Sequence, residues 1–296
     1  AVNRAMSYFS QGSWYKELVE GIAFYQFLCA ILKDYDTRKT EIIHKLQTIG
    51  QKIFRKSYLL ADMTVDHEGM QICTKPLVSF AGKLYTAPMS AVDCAVKTIG
   101  TCPRHNEAFI TSGMVQYNAC AGNFGGSGMA YSGSMNVLKN VLGNEYLWNN
   151  VRVKGGAYGC MCGFAPSGNG YFTSYRDPNL AKTYDIYANA ADYVRSLALD
   201  DRELTKYIIG AVGAIDLPMT ASMKGNRSLA AFLGERSFEQ IQKNRDELLA
   251  TTVDDLRGLS KAVAAVIEAG HICVVGSESK ITEQKDRFEY VAQLIQ

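Results

Sequence analysis

The chain has only four histidines in 296 residues, and no two of them stand one helical turn apart. His44, His67, His105 and His271 are widely separated. Neither HExxH nor HxxEH occurs, the short motifs that set two zinc-binding imidazoles and a carboxylate on one helix face. His67-Glu68 begins such a motif, but Gly69-Met70-Gln71 follows and does not complete it. A basic excess is also missing. Thirty-one Lys and Arg against 29 Asp and Glu leave +2, too little for a phosphate-binding surface, so nucleic acid is excluded as a partner. The longest apolar run, residues 21–32, contains Gln26 and falls short of the roughly 20 residues that span a bilayer, which excludes a membrane segment of that kind. No basic, apolar and small-residue leader opens the chain, and its first residues look helical, so it is expected to begin inside a longer protein.

The composition is 47% hydrophobic and 20% charged, that of a folded domain with a sizeable core. Eight cysteines are scattered along the chain, mostly in apolar segments. They are expected to be reduced core thiols, which places the protein in the cytoplasm or an organelle matrix.

Periodicity divides the chain. Leu18, Ile22, Tyr25, Cys29 and Leu32 fall at helical spacing, as do Ile42, Leu46, Ile49 and Ile53, and Tyr58 to Val65 has the apolar and β-branched content of a buried strand. Prolines 76, 88 and 103 with Gly82 and Gly100 interrupt any long element and mark a linker. Ala108 to Cys120 suggests one long or two short strands. Ser134 can cap a helix through Met135, Leu138, Leu142 and Tyr146 that ends near Val153. Ala157 to Phe164 and Tyr171 to Tyr175 form a hairpin around residues 165–170, with Tyr158, Cys160, Cys162 and Phe164 on one face. Asp177-Pro178 can cap a helix striped by Tyr184, Tyr187, Ala191, Val194 and Ala198. Two further helices flank Leu217-Pro218. Thr252 with Asp255 resembles a capping box for a helix stopped by Gly270, and a strand from His271 and a polar terminal helix complete the chain. Strands and helices mix without regular βαβ alternation, the pattern of an α+β domain whose mixed, largely antiparallel sheet carries helices packed on one face.

Three segments invite a chemical reading. Ala121 to Gly128 is glycine-rich, but it lacks the Gly-Lys-Ser/Thr ending of a phosphate loop, and Tyr131 stands where a dinucleotide fingerprint starting at Gly126 needs its last glycine. A flexible turn is expected there. Cys160 and Cys162 point the same way on a strand, but no second close thiol pair completes a metal site, so packing is expected. From Trp148 to Gly159, a helix end, a Gly-Gly bend and a strand start can bring Arg152 and Tyr158 to one side. Spacing alone favours the plainer account, a charge at a helix C-terminus and an aromatic at a sheet edge.

That segment also carries a resemblance. Glu145-Tyr-Leu-Trp148, Val151-Arg-Val-Lys-Gly-Gly-Ala-Tyr-Gly159, Ser174-Tyr-Arg-Asp-Pro-Asn179, Lys206-Tyr-Ile-Ile-Gly210, Ser222-Met-Lys-Gly225 and Cys273-Val-Val-Gly-Ser277 resemble the C-terminal half of the presequence proteases, in the insulinase and pitrilysin superfamily of zinc peptidases. The resemblance covers nearly the whole chain. It implies that residues 1–75 end a third domain, 76–105 link, and 106–296 form a complete fourth domain, preceded by part of a second domain of the same kind. It further implies a zinc metalloendopeptidase of two halves that degrades short unstructured peptides, with zinc and HxxEH on the missing N-terminal half and no metal in this chain. Arg152 and Tyr158 match the residues that reach across to that site, Tyr158 as an oxyanion donor and Arg152 as a substrate holder, with Gly155 and Gly156 as further substrate-binding positions. Lys154 stands where a glutamine is expected. The chain alone should be inactive, with the N-terminal half and an unstructured peptide as its partners. The alternative is a non-catalytic peptide- or partner-binding subunit of the same superfamily. An unrelated small-molecule-binding domain would need a closed apolar pocket and fits these motifs poorly.

Overall fold

The computed structural model describes residues 1–87 and 99–295; Pro88 and Cys94 of the segment around the expected linker lie outside the described residues. Two compact units divide the chain: residues 1–25, 99–216 and 239–296 form one, and 26–98 with 217–238 the other.

The first unit is built on a six-stranded sheet in the order β3-β4-β2-β5-β1-β6. Its strands are β1 (Glu107–Thr111), β2 (Gln116–Asn123), β3 (Gly159–Phe164), β4 (Asn169–Asp177), β5 (His271–Ser277) and β6 (Tyr290–Gln293). β1 lies parallel to β5 and β6, and the other three pairings are antiparallel, so the sheet is mixed as expected. The Ala108–Cys120 segment resolves into two strands, and the hairpin around residues 165–170 forms. β6 was not anticipated; it follows the polar helix Glu278–Glu283.

Alternation along the strands gives the sheet two apolar faces. Ala108, Cys120, Cys162, Phe172 and Val274 join one large core with Leu138, Val141, Leu142, Tyr187, Val263 and Val266 from the helices of residues 134–268. Phe109, Ala119, Ala121 and Cys273 belong to a second cluster with Ala5 and Tyr8. The first unit's helices that follow β2 thus cover one face, and helices Val2–Ser7 and Gln11–Glu20 lie on the other. A buried ion network ties this second layer down. Arg4 donates through Nε to Glu107 Oε2 at 2.5 Å and through Nη2 to Oε1 at 2.9 Å, and its Nη1 lies 3.4 Å from Glu17 Oε2. Glu17 also accepts from Asn3 Nδ2 at 2.9 Å and from the Ile22 N–H at 3.1 Å.

Local signals succeeded where the side chain had no competing partner. Thr252 and Asp255 form their capping box, and Gly270 follows the last core helix at φ +67°. Ser134, however, is the first helical residue and not the cap; its hydroxyl accepts from Thr251 Oγ1 at 3.0 Å. Asp177 ends β4 and does not cap a helix. The expected single helix beyond it is two, Ala181–Ala188 and Ala190–Arg195, with Leu197 buried where Ala198 was expected.

The second unit contains helices Tyr35–Ile53, His67–Ala81 and Ala221–Leu233. Tyr58 to Val65 is not a strand. A short 3-10 turn at Lys56–Tyr58 leads into irregular chain, and among the described residues of this unit the only β pairing is the isolated bridge between Arg55 and Tyr85. A strand needs a ladder to satisfy its backbone groups, and here none is offered. The helix from His67 starts on Asp66, whose Oδ1 accepts the Gly69 N–H at 2.7 Å, and it runs through Pro76 to Ala81, so the expected linker begins inside a helix. The seven described cysteines are all free, with Cys102, Cys120, Cys162 and Cys273 buried.

Candidate active site

The helix beginning at Ser134 changes character at Leu142. From there to Val153 it is a π-helix, bonded i to i+5 as in the Lys154 N–H to Asn149 carbonyl contact at 3.0 Å. Leu147 and Val151 are buried while Trp148 stays exposed, and the side chain of Arg152 lies back over it, the guanidinium carbon 4.2 Å from the indole centroid. Such a cation–π contact holds an arginine without neutralising it.

A left-handed turn then closes the helix. The Gly156 N–H returns to the Arg152 carbonyl at 2.8 Å and the Ala157 N–H to that of Val151 at 3.2 Å, with Gly156 at φ +82°. At Gly155 a Cβ would stand 2.4 Å from the Val151 carbonyl oxygen. Both glycines therefore serve the bend itself. The Gly155 carbonyl accepts from Asn179 Nδ2 at 2.6 Å, the Asn179 N–H donates to Asp177 Oδ1 at 2.8 Å, and Asp177 Oδ2 accepts the hydroxyls of Ser174 and Thr183 at 2.6 and 2.7 Å. The buried carboxylate of Asp177 thus fixes the turn through Asn179. Gly155→Ala is expected to lower unfolding free energy by about 1–3 kcal/mol because the added methyl meets rigid backbone. A denaturant midpoint equal to that of the parent chain would show that the turn can relax.

Tyr158 lies one residue before β3, not within it. Gly159 pairs with Tyr175, and one step further the Tyr158 N–H donates to the Arg176 carbonyl at 3.3 Å. The phenol is 57% exposed. Its ring meets Tyr175 edge-on at 5.4 Å, and the guanidinium carbons of Arg152 and Arg176 lie over it at 5.7 and 5.6 Å. Arg152, Tyr158 and Arg176, with Val115, Val153, Gly156 and Ala157, line an open depression of about 540 Å³. The structure therefore brings Arg152 and Tyr158 to one side of the bend. Arg176 was not singled out, although it stands in the Ser174-to-Asn179 motif; carrying the hairpin register one pair past Gly159 would have placed it opposite Tyr158.

The remaining candidates lie elsewhere. The glycine-rich segment is at the other end of β2, where Asn123 Oδ1 accepts the Gly126 N–H at 2.8 Å and the Phe124 N–H reaches the Gly168 carbonyl at 2.8 Å, making it a turn braced by the hairpin loop. Burial pushes the thiols of Cys160 and Cys162 up to about 11 and about 12, and both pack into the large core. Among the described residues no three His, Cys, Asp or Glu side chains converge to hold a metal ion, and no helix is long and apolar enough to cross a membrane.

Comparison with known proteins places these motifs. Residues 106–280 match the family described as PreP C-terminal domain. Protein HypA of Clostridium perfringens is 33% identical over 304 aligned residues, covering 100% of this chain and 30% of that protein. Presequence protease 1, chloroplastic/mitochondrial, of Arabidopsis thaliana is 33% identical over 90% of this chain and 25% of its own length, and the mitochondrial presequence protease of Emericella nidulans is 26% identical over 96% and 27%. The chain thus spans about a quarter to a third of the curated relatives it matches.

Proposed function

We propose, for a chain that belongs to the family of PreP C-terminal domains, that it is the C-terminal portion of a zinc metalloendopeptidase that degrades short unstructured peptides, and that it lends Arg152 and Tyr158 to that hydrolysis. In the parent protease residues 1–75 end the preceding domain, 76–105 connect, and 106–296 form the last domain, facing an N-terminal half that carries the metal. The described residues of this chain do not make a zinc site, so every step at the metal, including activation of the attacking water, is assigned to that half. The parent works in the cytoplasm or an organelle matrix, in line with the mitochondrial and chloroplastic names of the plant and fungal relatives.

The observation that supports this reading most is the pairing of an exposed phenol with a half-buried arginine in one open groove. The Tyr158 hydroxyl has no hydrogen-bond partner among the described residues, so it is free to donate to a peptide carbonyl oxygen as negative charge builds there during attack. A donor aimed at that charge is worth about 2.7–4 kcal/mol. Arg152, fixed on Trp148, presents a planar fork of donors to the neighbouring peptide carbonyl, and its permanent charge makes those hydrogen bonds stronger than neutral ones. An extended, unstructured chain suits an open depression, since its backbone groups are available for pairing.

Arg152→Lys in the parent protease is the test. The ammonium keeps the charge but not the fork or the flat stacking surface, so KM for a short unstructured peptide should rise about tenfold with a smaller fall in kcat. If kcat/KM stays above half the parent value, Arg152 does not hold substrate and the assignment fails.

A further inference from the structure

Arg176 is held in a backbone conformation that arginine seldom adopts. At the end of β4 it has φ +50°, the left-handed region where glycine and asparagine are at ease and a long side chain is not. The register of β4 on β2 is irregular here, with Tyr175 and Arg176 opposite the single residue Tyr117, and a bulge of this kind re-aims a side chain. That side chain is exposed, and its guanidinium lies over the same phenol as that of Arg152. Arg38, Arg195, Arg245, Arg257 and Arg287 each pair with a carboxylate. Among the described residues neither Arg152 nor Arg176 pairs with one, and no acidic side chain lines the depression. Two unneutralised guanidinium groups beside one ring form a positive site open to solvent, and the fork of each matches a carboxylate.

We propose that Arg176 is a substrate-binding residue that, together with Arg152, makes this groove a carboxylate subsite for the peptide. This inference rests on the peptide-hydrolysis reading above and adds a charge preference to it. The carboxylate comes from an acidic side chain or from the free end of a short peptide; both offer the same two-oxygen acceptor.

Direct binding to the chain itself tests the proposal without requiring turnover. Three short peptides carrying an uncharged fluorophore are titrated by anisotropy: one with an Asp-Glu pair and an amidated end, one with Asn-Gln in its place and a free carboxyl end, and one with Asn-Gln and an amidated end. At least one of the first two should bind about fivefold or more tightly than the third, with a preference that fades as salt is added. Whichever binds tighter identifies the source of the carboxylate. Arg176→Gln should bring the ratio near one, and Arg176→Lys should keep part of it. Arg176→Gly separates binding from folding, because glycine suits φ +50°: its melting temperature should equal or exceed that of the parent chain while the preference disappears. The proposal is overturned if neither carboxylate peptide binds better than the neutral one, absence of binding included, or if Arg176→Gly folds and keeps the ratio. Loss of the preference in Arg176→Gly alongside a catalytically silent Tyr158→Phe would sink the hydrolysis reading and leave the subsite standing. The reverse pattern would do the opposite.

Discussion

Tyr158→Phe in the parent protease is expected to lower kcat by about a hundredfold or more while KM and melting temperature stay nearly unchanged. The substitution removes one oxygen and keeps the ring. The edge-on contact with Tyr175 at 5.4 Å and the two guanidinium groups over the ring both survive, and the hydroxyl of this exposed residue has no hydrogen-bond partner among the described residues, so no folding contact is lost. A group whose only partner forms in the transition state changes kcat and little else. An aromatic that merely closes the sheet edge would give a variant with full activity. Steady-state kinetics on a short unstructured peptide, with a thermal melt of the same preparation, separates the two; kcat above half the parent value rules out the oxyanion role.

The second large effect is on stability. Arg4→Ala should cost about 3–5 kcal/mol, because it leaves the Glu107 carboxylate buried without its cation. Glu107 is fully buried and the Arg4 side chain is 6% exposed. Glu17 would suffer less, since it keeps Asn3 and the Ile22 N–H. Replacing both partners with apolar residues of similar size, Arg4→Met with Glu107→Leu, should recover at least half of the loss, as a buried ion pair is dear to break and cheap to replace. Urea unfolding of the three proteins decides it. A single variant that loses only about 1 kcal/mol or less, well short of that range, would mean that water reaches Glu107 once Arg4 is gone.

Much of this fold was legible locally. The hairpin around residues 165–170 announced itself through glycine, proline and asparagine between two apolar runs, and the Thr252 box through residues three apart. What was hidden depends on distant parts of the chain. Ser134 and Asp177 look like helix caps because their side chains are short acceptors, but Ser134 is taken by Thr251 and Asp177 by Ser174, Thr183 and Asn179. Tyr58 to Val65 has the composition of a strand and lacks neighbouring strands. Arg4 looks like an ordinary charge on a surface helix until Glu107, about a hundred positions away in sequence, is seen beneath it. At the candidate site, spacing left Arg152 and Tyr158 as a helix charge and an edge aromatic; family resemblance singled them out, and only the register of β3 on β4 brings in Arg176.

The π-helix sets a rule for how this protein can vary. Residues 142–153 hold the wide turn that closes on Arg152, and losing one residue between 142 and 151 would let the segment relax toward the tighter α spacing. Each residue in an α-helix advances the chain by about 100°, so such a deletion would swing Arg152 away from Tyr158 without touching either. Homologous sequences that keep the arginine and the tyrosine are therefore expected to conserve the length of this stretch more strictly than its composition, and a gap inside it marks a lineage in which the pair no longer works together.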